Sequence, residues 1–277
     1  AGSGTIYLGN STPGNTDNAT FSPATTGVNA PNLVVVQSGG TGTLTLSGAA
    51  TDGQVFAGPI MLQKDLTIKA IGDRTFTLTG DISGTGNITL VNTHTNERFY
   101  LSMTNLNPVG SISTAGTGGS GLTIGANIGA NVTTINKLTG TGMMVLSGTN
   151  VYTGATQVSA GTLKFAKPVS WSQNFGGVSG TPSPITVSNA GSMLGINFGP
   201  ADFSNANVTS ILANTTFGTG TGLTVDTDNS GGVDNTLSTD IGTGVSGPQN
   251  LTKLGNGNLI LTGTNLYTGV TTLRGGA

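Results

Sequence analysis

Apolar residues recur at every second position in many short segments of this chain, and glycines bound most of these segments. Clear examples are residues 42–48 (GTLTLSG), 142–148 (GMMVLSG) and 257–263 (GNLILTG). The alternation places apolar side chains on one face of a strand and Thr, Ser and Asn on the other. Because glycine accepts positive φ at no steric cost, the chain can turn sharply after each segment. The pattern therefore predicts many short, half-buried strands and nearly excludes long helices.

A longer pattern, G-x-G-x-L-x-L-x-G-x-N-x-Y-x-G-x-T, occurs after Lys137 and again after Lys253, with Thr139 as the one inserted residue. The pattern resembles the autotransporter-associated strand repeat, which is found in passenger regions of bacterial autotransporters and related surface proteins. The strand repeats lie at 135–165 and 251–277. The resemblance implies a right-handed β-solenoid on an exported protein.

We therefore predict an all-β fold, an irregular right-handed β-solenoid (β-helix) with Gly-rich turns; an elongated β-sandwich or jelly roll is the alternative. Residues 1–277 should form a single elongated β domain. The spacing between strand units is too uneven for a regular solenoid. A protruding insertion at 166–216, which holds the single tryptophan, Trp171, is one way to accommodate this.

Charge is scarce, since Asp, Glu, Lys and Arg make up 7% of the residues and the formal net charge is −2. Nine scattered Lys and Arg residues form no basic stripe, which argues against nucleic acid as a partner. No apolar run is long enough for a membrane-spanning helix, so we expect no membrane insertion. Residues 1–4 look like a processed end, and the absence of cysteine fits an exported protein. We expect an extracellular or cell-surface location.

One segment has the spacing of a calcium-binding loop. Asp226, Asp228, Ser230 and Asp234 occupy loop positions 1, 3, 5 and 9, with glycine at position 6. Position 12 is Leu237 and not Glu, so the usual bidentate carboxylate is missing unless Asp240 or another loop supplies it. Asp-Asn-Ser-Gly clusters are also ordinary turn chemistry. The sequence leaves two alternatives: no cofactor, or Ca²⁺ in this loop.

The two ends of the chain complement each other. The first copy of the long repeat continues into a strand that begins Gly-Thr-Leu, and the N-terminal segment Gly4, Thr5, Ile6, Tyr7 and Leu8 matches that strand. We hypothesise that it completes the C-terminal repeat of a neighbouring molecule, contacting Thr271, Leu273 and Gly276. The alternative is that the chain is cut from a longer repeat array. Pairing of the first ten residues within their own subunit would contradict the hypothesis.

Catalytic constellations are not visible in the sequence, and we predict that the chain is not an enzyme. Hydrolysis of a polysaccharide needs convergent carboxylates. Asp65, Asp73 and Asp81 recur every eight residues, but a solvated charged face explains them better. The single histidine, His94, lacks a nucleophile motif. The paired residues of the long repeat, Asn150 with Asn265 and Tyr152 with Tyr267, favour structural roles.

The leading hypothesis is a structural subunit of an extracellular filament or surface layer, which self-assembles head to tail through strand complementation into a homopolymer. The alternative is an adhesin-type passenger fragment. Its loops at 94–100 or 171–184 would bind carbohydrate, a host surface or other surface proteins. A polysaccharide-active β-helix enzyme is the least favoured hypothesis.

Overall fold

In the described part of the chain, each strand pairs in parallel with a strand about one coil away, and the stacked coils form a β-solenoid of about 10 turns. The computed structural model describes residues 4–23, 25, 27–48, 53–72, 75–93, 98–119, 121–171, 183–228, 233–242 and 247–276. All strand pairs in these ranges are parallel. Sandwiches are built from antiparallel strands, so the predicted β-solenoid with Gly-rich turns is confirmed and the sandwich alternative is wrong.

The strands lie on three sides of the solenoid. Sheet I contains β1 (Ile6–Leu8), β4 (Val34–Val36), β7 (Ile60–Leu62), β10 (Ile82–Thr85), the first half of β13 (Asn105–Ala115) and β15 (Asn127–Ile128). Sheet II contains β2 (Ala19–Phe21), β5 (Leu44–Ser47), β8 (Leu66–Lys69), β11 (Ile88–Val91), the second half of β13, β16 (Val132–Lys137), β18 (Ala155–Val158), β20 (Ile185–Val187) and β22 (Thr215–Phe217).

Sheet III runs through nearly the whole stack. It contains β3 (Asn29–Ala30), β6 (Gln54–Phe56), β9 (Thr75–Leu78), β12 (Arg98–Leu101), β14 (Leu122–Ile124), β17 (Met143–Leu146), β19 (Thr162–Phe165), β21 (Met193–Asn197), β23 (Gly222–Asp226), β25 (Asn250–Leu254) and β27 (Thr271–Arg274). A separate pair joins β24 (Asp234–Leu237) to β26 (Asn258–Leu261).

The interior is built from stacked rows of apolar side chains. In sheet II one such row is buried and consists of Leu66, Ile88, Ile112 and Ile135. Burying a side chain of this size stabilises the fold by about 1.5–3 kcal/mol. A second row is aromatic, with neighbouring ring centroids 5.4–5.6 Å apart, and consists of Phe21, Phe56, Phe76 and Phe99. The alternation seen in the sequence thus becomes a continuous core.

Several corners of the solenoid bring successive coils into direct backbone contact. A Cβ added at Gly80 would lie 1.9 Å from the carbonyl oxygen of Gly58, and one at Gly58 would lie 1.9 Å from that of Asn32. Neither glycine has a positive φ. These glycines are therefore required by the close approach of two coils, whereas the sequence had suggested a need for unusual dihedral angles.

The coils differ in length along the chain. Stacked partners are 22–24 residues apart around Asp65 and Asn87 and 29–31 residues apart between β18 and β23, whereas β25 and β27 are 20 residues apart. Beyond β15 the side occupied by sheet I holds two helices, α1 (Pro168–Trp171) and α2 (Asn205–Ala213), and then the strands β24 and β26. Helix α2 begins with a capping box between Ser204 and Asn207.

The segment 166–216 was predicted to protrude. Its described strands β20, β21 and β22 pair within sheets II and III, so this part of the segment belongs to the stack. Residues 172–182, between α1 and β20, lie outside the described residues. The extra length of these coils is used in part by α1 and α2.

Candidate functional site

Two lysines occupy inward-facing positions of the long repeat. Lys137 follows buried Ile135 at the end of β16, and Lys253 lies between outward-facing Thr252 and Leu254 in β25. Each ammonium group donates hydrogen bonds to backbone carbonyls of a glycine corner. Lys137 Nζ bonds to Thr139 and Gly140, at 2.7 Å for the latter. These lysines close the corners from inside the solenoid.

The equivalent Lys253 closes two corners at once, because its Nζ donates to the carbonyls of Gly255 and Gly275 in successive coils, the latter at 2.8 Å. Desolvation lowers the pKa of both lysines, that of Lys137 to about 8. For Lys253 the carboxylates of Asp226 and Asp228 oppose the shift. Our sequence reasoning missed this role, although a lysine at an apolar position of the alternation was the available signal.

The paired asparagines of the repeat join successive coils, and the paired tyrosines form a hydrogen bond within one coil. Asn150 accepts a hydrogen bond from the Ile128 amide at 3.0 Å, and Asn265 accepts one from the Ile241 amide at 3.2 Å. The Tyr152 hydroxyl lies 2.8 Å from Thr156 Oγ1. The Tyr267 hydroxyl lies 2.9 Å from Thr271 Oγ1. Their predicted structural role is confirmed, since the polar groups of the repeat are used within the stack.

Aspartate and asparagine side chains form ladders along other corners. Asp65 Oδ1 accepts from the Asn87 amide at 2.8 Å, and Asn87 Oδ1 accepts from the Ser111 amide at 2.9 Å. Asp81 accepts from the amide and side chain of Asn105, and these hydrogen bonds lower its pKa. Asp65 precedes β8 of sheet II, whereas Asp81 precedes β10 of sheet I, so each belongs to a different corner. Asp73 lies outside the described residues.

The carboxylates of the predicted calcium loop already have protein partners. Asp226 Oδ2 forms an ion pair with Lys164 Nζ at 2.7 Å. Asp228 accepts from Asn256 at 3.3 Å, and Asp234 accepts from the Asn258 side chain at 2.8 Å. Ser230 lies outside the described residues. Over the ranges that the structure describes, no three His, Cys, Asp or Glu side chains cluster as metal ligands, and calcium binding stays a prediction.

The N-terminal strand pairs within its own chain. Ile6, Tyr7 and Leu8 of β1 lie opposite Val34, Val35 and Val36 of β4, and the Gly4 carbonyl accepts from the Asn32 side chain at 2.6 Å. Thr5 lies next to β1 and is exposed. This is the arrangement that contradicts strand donation to a neighbour: β1 is already a member of sheet I, because Leu8 is buried against its own core.

The last described coil presents an open apolar face. Thr271 and Leu273 lie in β27, which pairs with β25 along one edge, and Gly276 follows. No strand pairs with the other edge of β27 or of β26 in the described part of the chain. The side chains exposed here are Ile260, Leu266, Val270 and Leu273. All four are apolar, as interior residues are, and no described coil covers them.

The loops predicted for adhesion lie partly outside the described residues. Residues 94–97 lie outside the described residues, as do residues 172–182. Trp171 is fully buried, and its indole nitrogen donates to the Ser183 carbonyl at 3.3 Å. The tryptophan therefore belongs to the core and is not available as a surface contact. No helix in the described ranges has the length and apolar character needed to cross a membrane.

Comparison with protein families finds one match. The model of the passenger-associated-transport-repeat matches residues 39–60, 138–165 and 251–277. Comparisons with curated proteins and with solved structures give no match. Two of the matched regions are the copies of the long repeat found in the sequence. The remaining match, 39–60, was identified from the sequence only as a short alternating segment, because it lacks the Asn-x-Tyr corner.

The G-x-L-x-L-x-G strands of the three matched regions lie on three different sides of the solenoid. These strands are β5 in sheet II, β17 in sheet III and β26. Strand β26 pairs with β24, which bonds to α2 on the side that sheet I occupies earlier. The repeat therefore encodes a strand and its corner but no particular side. The three matches are consistent with an autotransporter passenger repeat, and together with the β-solenoid they indicate an exported, passenger-type protein that is secreted or surface-exposed.

Proposed function

We propose that this chain is a non-catalytic structural segment of an exported passenger protein, in which the stacked coils form a stiff rod outside the cell. The observation that carries the proposal is the use of the repeat's polar side chains. Lys137, Asn150 and Tyr152 all bind corners or turns of the stack, and so do their counterparts Lys253, Asn265 and Tyr267. Passenger-repeat proteins are generally structural or adhesive, which supports the same function.

The dimensions of the rod follow from sheet III. Its 11 strands stack in one row, and neighbouring strands in a sheet lie about 4.8 Å apart. The described coils therefore extend over about 50 Å. Small-angle X-ray scattering of the purified protein should show an elongated particle with this long axis. A scattering curve of a near-spherical particle would contradict the proposal.

We also propose that coils of neighbouring molecules stack end to end, as in the filament predicted from the sequence, but without strand donation. Strand β26 continues the side on which β1 lies, and β27 continues the side of β3. A second copy placed coaxially would set β1 beside β26 and β3 beside β27. The apolar face of Leu266, Val270 and Leu273 favours such a contact, because an exposed strand edge with apolar side chains recruits another strand.

Sedimentation velocity over a range of protein concentrations tests the stacking. We expect concentration-dependent association that Leu273→Asp abolishes, because the substitution places a charge in the contact. Met61→Asp is the matched control, since Met61 is an exposed apolar residue on the outer face of sheet I. A wild-type protein that stays monomeric at high concentration, or equal association of both variants, would contradict end-to-end stacking but not the rod.

A further inference from the structure

A groove crosses the outer face of sheet III in the second half of the molecule. It has a volume of about 780 Å³ and extends from β17 to β27 across six strands. At about 4.8 Å per strand, its length along the solenoid axis is about 24 Å. An elongated ligand lying parallel to the axis would contact one strand after another.

The groove contains a regular row of hydroxyl groups. Thr224, Thr252 and Thr272 lie at the same register position of three neighbouring strands. Thr252 and Thr272 are half-buried, whereas Thr224 is 2% exposed and marks the closed end of the row. Among the described residues, no hydrogen bond engages these three hydroxyls. A further hydroxyl in the lining, Ser192 Oγ, is buried and has no hydrogen-bond partner in the described structure. Buried polar groups are normally satisfied, so this wall of the groove has unused hydrogen-bonding capacity.

Apolar side chains accompany the hydroxyls. Met143 and Met193 lie two strands apart in one outward-facing row, and Val270 lies at the far end of the same groove. Methionine adapts its shape to irregular apolar partners. The lining therefore combines small hydroxyl donors and acceptors with adaptable apolar contacts, which suits a ligand that has polar edges and an apolar face.

The charge of the groove is low. Arg274 is the one charged side chain among the described residues that line it. Lys164 lies beside the row of threonines, but its ion pair with Asp226 neutralises its charge. A strongly anionic polymer would find no basic track here, and a cationic one would find no carboxylates. Low charge and many hydroxyls fit an uncharged or weakly acidic partner.

We propose that this groove binds an extended glycan chain, with sugar hydroxyls bonded to Thr252 and Thr272 and the C–H faces of the rings on the methionines. The rise between neighbouring strands is comparable with the length of one pyranose unit in an extended chain, so two successive sugars can make the same contact with these two threonines. Arg274 lies at the β27 end, where it can pair with a sugar carboxylate. The proposal goes beyond the structural role, which does not depend on it.

Titration calorimetry with β-1,4-linked hexasaccharides tests the proposal, using a glucose hexamer and a mannuronate hexamer. We expect Thr252→Val to weaken binding of the neutral hexamer about 2- to 12-fold, since one hydrogen bond contributes about 0.5–1.5 kcal/mol. Thr67→Val makes the same change in the outward row of sheet II and should leave the affinity unchanged. Arg274→Gln should weaken binding of the acidic hexamer alone.

Two results would overturn the glycan site. The first is dissociation constants weaker than about 1 mM for both hexamers with folded protein. The second is equal effects of Thr252→Val and Thr67→Val on binding, which would place any contact elsewhere on the solenoid. Circular dichroism of each variant should match the wild type, because valine is well accepted in strands.

Discussion

The second and third matched regions, 138–165 and 251–277, are two nearly equivalent sequences in different surroundings. In the central copy Tyr152 and Val158 are at most 1% exposed, because β20 and the chain around α1 cover them. In the C-terminal copy the counterpart of Val158, Leu273, is 63% exposed. The bond that the corner asparagine accepts and the bond between tyrosine and threonine are the same in both. The repeat thus encodes the shape of a coil, whereas burial depends on the next coil in the stack.

The largest difference in stability loss between the two copies is expected when a corner glycine is replaced. A Cβ at Gly148 would lie 1.9 Å from the Ala126 carbonyl oxygen, and one at Gly263 would lie 2.7 Å from that of Thr239. Gly148→Ala forces two covered coils apart and should lower the free energy of unfolding by about 3 kcal/mol. Gly263→Ala should cost about 1 kcal/mol, because the open coil can shift. Urea unfolding measures both. Equal losses in the free energy of unfolding would show that the corner itself, and not the covering coil, determines the effect of the substitution.

Replacing the corner asparagine should produce a smaller difference in stability loss between the two copies. Asn150 is fully buried, and its side chain satisfies the Ile128 amide and the Ser170 carbonyl. Asn150→Ala leaves buried groups without partners and should cost about 2 kcal/mol. Asn265 is half-buried, so water can replace its side chain and Asn265→Ala should cost under about 1 kcal/mol. Thermal unfolding of the two variants checks the order. A larger loss for Asn265→Ala would reverse the interpretation.

Replacing each tyrosine by phenylalanine tests the same comparison, because the substitution removes the hydroxyl and leaves the ring in place. Tyr152→Phe removes the partner of the buried Thr156 hydroxyl and should cost about 1 kcal/mol. Tyr267→Phe removes an exposed bond of almost the same length and should be neutral within about 0.5 kcal/mol. The measurement is the urea midpoint at constant slope. An equal loss of stability for Tyr267→Phe would mean that the hydrogen bond itself, and not its burial, determines the contribution to stability.

A last prediction concerns the pH dependence of stability. Burial lowers the pKa of Lys137 from 10.5 to about 8, so between these values the unfolded state binds more protons than the folded state. The free energy of unfolding from this group therefore rises with pH from about 8 towards 10. Above about 10, tyrosine ionisation in the unfolded state opposes the rise, because burial raises the pKa of Tyr152. Lys137→Met should flatten the rise, and an unchanged slope would contradict this assignment.

The alternating pattern by itself determined the strands, their inward faces and the fold class. Leu44, Leu46, Leu163 and Phe165 could be assigned to the core because a strand turns every second side chain to the same face. The repeat also identified its own corner residues, since Asn150 and Tyr152 recur at the spacing of Asn265 and Tyr267. These features are local, and local sequence is sufficient to specify them.

Only the tertiary structure decided how the coils stack. It set the side on which each copy starts, the replacement of sheet I by α1 and α2, and the pairing of β1 with its own β4. It also brought Lys164 to Asp226 across two strands, and it aligned the threonine row of sheet III. Such contacts join residues about 20 to 60 positions apart. They depend on the number of residues in each coil, and unequal coils cannot be put into register from the strand pattern alone.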